Sequence, residues 1–192
     1  MTDFIFCKTS IALCGIVNDQ IDDTTSRSLE SMMYENELAL TAFLFDLLMK
    51  LVADIPDEQL TVQPFPGMNH PAWILGHLAV AYDYAGKCMG LPLKLIRLHP
   101  SYAPTTEPDP DRSKYPSKAK LLEILNASAA RVLPHVKNVD PTQMSGPQPI
   151  ERLQPHIQTM SVLLSHMLTT HMATHVGQLS AWRRAMGMKS IE

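Results

Sequence analysis

HIQTMSVLLSHMLTTHMATHVGQLSAWRRAM, residues 156–186, holds no proline and one glycine, Gly177. A run of that length with nothing to break it predicts a continuous helix from His156 to Met186. Its apolar side chains share one stripe. With His171 set at zero and about 100° per residue, Met160, Leu164, Gln178 and Trp182 lie within about 20°, and Met167 and His175 within about 40°. Such a stripe must be buried, and three other segments can cover it. Ser28–Ala53 places Leu40, Phe43, Leu44, Leu47 and Leu51 at three- and four-residue steps, and Pro56 ends it. Pro71–Lys87 is nearly apolar all round, with Asn69 or His70 as its cap, Pro71 in its first turn and Gly90 at its exit. Ser117–Leu133 starts at a Ser117 cap and carries Leu121, Leu125, Ala129 and Val132. No segment alternates as a strand does. Four amphipathic helices with no sheet bury their stripes only against one another, so the expected fold is an all-α four-helix bundle.

Proline marks the connections. Pro92, Pro100, Pro104, Pro108, Pro110 and Pro116 fill one, and Pro134, Pro141, Pro147, Pro149 and Pro155 the other. Proline removes a backbone donor and clashes inside a helix, so both stretches read as long loops. Loops of that length commonly carry function, and these are expected to shape the mouth of a pocket.

The composition excludes several classes of function. The chain has 192 residues, 45% hydrophobic and 18% charged, which suits one globular domain rather than disorder. A net charge of −3 with no basic stripe excludes nucleic-acid binding by charge. No stretch reaches the roughly 18 apolar residues of a membrane span. Three cysteines, Cys7, Cys14 and Cys88, form no even disulfide framework, and the expected location is cytoplasmic. Residues 1–27 read as an N-terminal extension of unknown role ahead of a bundle over 28–192. Phe4–Val17 is apolar, but Asp3 precedes it and Lys8 interrupts it, unlike a secretory leader.

Eight histidines are a rich supply. His171 and His175, four residues apart, stand one above the other on the stripe that faces the core. His77 lies on helix two with Trp73, Ala81, Tyr84 and Cys88 within about 40° of it. His166 falls about 140° from His171 and is expected to face solvent. Arg183 and Arg184 read as a solvated face. Three inward imidazoles are either separate core histidines, each hydrogen-bonded, or a three-nitrogen metal site with a coordination position left open. Periodicity leaves both readings open.

HPAWILGHLA (residues 70–79) and HMATHVGQLSAWRRAMG (171–187), with Tyr115-Pro116-Ser117 before helix three, resemble the DinB-like superfamily over about residues 32–190. The resemblance implies a crossed four-helix bundle with a divalent metal (zinc, nickel or iron) on His77, His171 and His175. Gln178 and Tyr84 are candidate supports for the ligands. The resemblance also implies a metal-dependent transferase that activates a low-molecular-weight thiol for attack on a small-molecule substrate, or a hydrolase that uses bound water. A metal-binding or stress-associated bundle without catalysis is the alternative. Arg112, Lys114 and Arg152 are candidates for attracting a thiol's carboxylates. The broad apolar surface of helix one predicts a homodimer.

Overall fold

A computed structural model describes residues 34–191. The extension 1–27, with Cys7, Cys14 and the Phe4–Val17 segment, lies outside the described residues, as does the expected helical stretch 28–33. The described residues form four long helices, with a shorter one leading into the last. They are α1 (Glu35–Ala53), α2 (Pro71–Cys88), α3 (Lys118–Val136), α4 (Met160–Leu168) and α5 (Thr170–Ala185). α2 packs chiefly along α3, α1 lies along α5 and α4, and α2 also meets α4 and α5. No helix among the described residues is long and apolar enough to cross a membrane.

The caps follow the local chemistry. His70 starts α2, its Nδ1 accepting from the Trp73 amide at 3.1 Å, and Pro71 takes the first turn, where no amide donor is needed. Gly90 leaves the helix with φ 88, a conformation that suits glycine. Ser117 caps α3 through the Lys120 amide. Leu121, Leu125, Ala129 and Val132 are buried as the stripe predicts. α3 runs three residues past its expected end, through Pro134, which sits in the last turn and therefore costs only one backbone bond.

Three readings need correction. The core face of α1 is rotated from the Leu40–Phe43 stripe: Thr41, Leu48, Leu51 and Val52 are buried, while Leu40 and Phe43 are 52% and 64% exposed. The polar Thr41 earns its core position because its hydroxyl donates to the Leu168 carbonyl at 2.8 Å. The same bond explains the second correction. The predicted continuous helix 156–186 is two helices, α4 and α5, broken at Thr169 (φ −119, ψ −81). There is no proline or glycine at the break. Instead Thr41 takes the carbonyl that a continuous helix would use internally, and the Thr169 hydroxyl turns back to the Ser165 carbonyl at 2.6 Å.

Thirdly, Arg183 is not solvated. It is 2% exposed, donates to the Leu51 carbonyl at the end of α1 at 2.7 Å, and forks onto Asp54. It thereby caps orphan carbonyl positions of α1 from α5. Its guanidinium holds the Asp54 carboxyl below the usual carboxylate range.

Candidate metal centre

His77 comes from the middle of α2, and His171 and His175 from successive turns of α5. Their Nε2 atoms converge. His171 Nε2 lies 3.0 Å from that of His77 and 3.3 Å from that of His175. Nitrogens that share a tetrahedral ion at about 2.0–2.1 Å are themselves about 3.3 Å apart, so the spacing fits one divalent ion. The three imidazoles can together hold such an ion.

The outer nitrogens are held by the fold. His77 Nδ1 donates to the Tyr102 carbonyl at 2.6 Å. His175 Nδ1 donates to Gln178 Oε1 at 2.9 Å, and Asn69 Nδ2 donates to the same oxygen at 3.0 Å. Those bonds fix the proton of each ring on Nδ1 and leave the Nε2 lone pair facing its neighbours. The Trp73 ring stacks on His77 at 4.5 Å and 7° and stiffens one wall. His171 differs: its buried Nδ1 has no partner among the described residues.

All three rings are kept neutral. Burial pushes His171 down to about 2, and the neighbouring imidazoles of His175 and His77 add to it. Burial likewise pushes His175 down to about 4 and lowers His77. An unfolded chain takes up these protons near the ordinary imidazole value of about 6.5. Above that pH neither state binds them; below it only the unfolded state does. The metal-free protein should therefore lose stability as pH falls from about 6.5 toward about 4, by roughly 1–2 kcal/mol per buried imidazole between pH 7 and 5. Urea unfolding of metal-free protein at pH 7, 6 and 5 checks this, and an unchanged midpoint would contradict it.

A cavity of about 300 Å³ opens beside His77 and His171. Its walls are largely apolar, from Val80, Ala81, Leu163 and Met167, and both proline-rich loops reach it through His99, Pro104, Ile150 and Arg152. No carboxylate among the described residues lines it. Tyr84 lines the cavity, but Tyr102 and Gln178, not Tyr84, hold the outer nitrogens. His166 is the correction here: it is half-buried on the cavity wall, 5.7 Å from the His171 ring, because the break at Thr169 resets the helical phase. Of the three candidate cations only Arg152 lines the cavity; Arg112 pairs with Asp57 and Lys114 with Asp109. Cys88 stays away from the triad, its thiol pushed up to about 11 by burial.

Sequence reasoning missed the Tyr102 carbonyl, Asn69 and His99. A backbone oxygen in a loop leaves no signature in residue types. No curated protein matches the chain. The family model of the DinB superfamily matches residues 41–179, a span that contains all three converging histidines and the cavity beside them, and the chain belongs to that superfamily.

Proposed function

We propose that the chain binds one divalent ion on His77, His171 and His175 and uses it to activate a low-molecular-weight thiol for attack on a small electrophile. The carrying observation is the convergence of three neutral Nε2 atoms at the edge of an apolar cavity. Three protein ligands leave a position open, and among the described residues no cysteine or carboxylate joins the three histidines or lines the cavity. A divalent ion there would lower the pKa of a thiol or water that enters the open position. Tyr102 and Gln178 hold the ligand rings in place, the apolar walls exclude water from the electrophile, and Arg152 at the mouth attracts a carboxylate carried by the thiol.

The test is addition of a low-molecular-weight thiol to monochlorobimane with zinc-, nickel- or iron-loaded protein. Acceleration that His175→Ala abolishes is expected. Cobalt-substituted protein should also change its d–d spectrum when thiol is added. If no physiological thiol alters that spectrum, hydrolysis or metal binding without catalysis replaces this reading.

We further propose a homodimer through the outer face of α1, where Leu40 and Phe43 stand exposed. Light scattering at micromolar concentration should give twice the chain mass, and Phe43→Glu should halve it. A monomer mass for the unaltered chain overturns the dimer.

A further inference from the structure

The one-turn helix His99–Tyr102 has two attachments to the site. Its last residue gives the carbonyl that holds His77. Its first residue, His99, lines the cavity that His77 and His171 border. The His99 ring has a buried Nε2 with no hydrogen-bond partner among the described residues, and the polar group facing it is Asp83 Oδ2 at 3.6 Å. That distance is too long for a hydrogen bond and short enough for charge to orient the ring.

Asp83 is fully buried. Its carboxylate accepts the Lys94 amide at 3.0 Å and the Leu95 amide at 2.8 Å, and Oδ1 takes the Arg131 guanidinium from α3. Oδ2 is the oxygen turned to His99. A carboxylate behind an imidazole that faces a cavity is the arrangement of an oriented proton acceptor. The other titratable or charged groups on the cavity wall are Tyr84, Arg152, His166 and the two ligands, and among the described residues none of them bonds to a carboxylate.

We infer that His99, positioned by Asp83, accepts the proton that a thiol gives up when it binds at the triad. The inference rests on the thiol reading above. The ligand rings have no free nitrogen for that proton once Nε2 is engaged, since Nδ1 of His77 and His175 already carries one. The S–H bond breaks and its electron pair stays on sulfur. The proton forms a bond to His99 Nδ1, and the positive ring faces the Asp83 carboxylate. When sulfur bonds to the electrophile, the displaced electron pair moves onto the electrophile's accepting or leaving atom, which takes the proton back from Nδ1.

Two measurements test this. Calorimetry of 2-mercaptoethanol binding to zinc-loaded protein, in buffers of different ionisation enthalpy, counts protons released. His99→Gln should release about one proton per thiol, and the unaltered protein far less. Equal release from both overturns the inference alone. Absence of thiol binding to either overturns the thiol reading and takes the inference with it. The second measurement needs no metal: long-range nitrogen–proton spectra should show His99 protonated on Nε2 and free on Nδ1. Asp83→Asn, which keeps an oxygen for the Lys94 and Leu95 amides, should shift that balance. A His99 ring protonated on Nδ1, or one indifferent to Asp83→Asn in a protein that still melts cooperatively, overturns the pairing.

Discussion

His171→Leu should cost the protein its metal ion while leaving the metal-free fold intact. His171 is the hinge of the triad, within 3.3 Å of both other Nε2 atoms. Loss of a group that merely supports a ligand typically costs 10–100-fold in affinity, so loss of the ligand itself should exceed about 100-fold. Stability should move the other way or not at all. The ring's Nδ1 is buried without a partner among the described residues, and burial has pushed the ring down to about 2, so the site accommodates its charge poorly. Leucine of similar volume removes that polar burden, so metal-free stability should stay within about 1 kcal/mol of the parent or rise. Zinc titration and thermal melts of metal-free protein read the two effects separately. A variant that still binds zinc at parental affinity would sink the three-histidine centre. One that fails to fold without metal would sink the claim that the His171 ring adds little to metal-free stability.

Gly76→Ala should damage both fold and site. A Cβ at Gly76 would stand 2.1 Å from Cε1 of Tyr102, on a ring that is itself only 2% exposed. The contact is with an aromatic ring in a packed core, not with a flexible chain end, so the His99–Tyr102 turn must retreat. Overpacking of this kind costs about 3 kcal/mol, roughly 6–12 °C in Tm for a chain of this size. The retreating turn carries the carbonyl that holds His77 Nδ1, so metal affinity should fall as well. Tyr102→Ala added to Gly76→Ala should recover part of the stability, because the ring that clashes is gone. Parental Tm and zinc affinity in the single variant would show that the turn is free to move.

The bundle was legible because its signals are local. Ser117, Pro71 and Gly90 mark helix ends by backbone chemistry, and the 121–132 stripe is buried as its period requires. Four inward positions followed from the same periodicity: His77, His175, Trp73 and Trp182 are all buried. What failed depended on contacts between distant segments. The Thr169 hydroxyl alone does not announce the break, because the other group that bonds there, Thr41, lies on α1. The buried face of α1 and the place of His166 on the cavity wall likewise depend on how α1 and α4 pack, which no local pattern records. Arg183 was misread for a similar reason: arginine looks like surface until Asp54 and the open end of α1 are placed beside it. The carbonyl of Tyr102 was invisible in principle, since every residue has one.

The break between α4 and α5 also limits how far the His171–His175 segment can be transplanted. Grafted into a straight helix, the pair would keep its mutual spacing, because α5 is regular across it. His166 would swing away, since a straight helix restores the 140° offset that the break removes. The smallest portable unit is therefore a bent helix together with a threonine from another helix to hold the bend. A designer who copies the motif alone inherits two ligands and loses the wall of the cavity they serve.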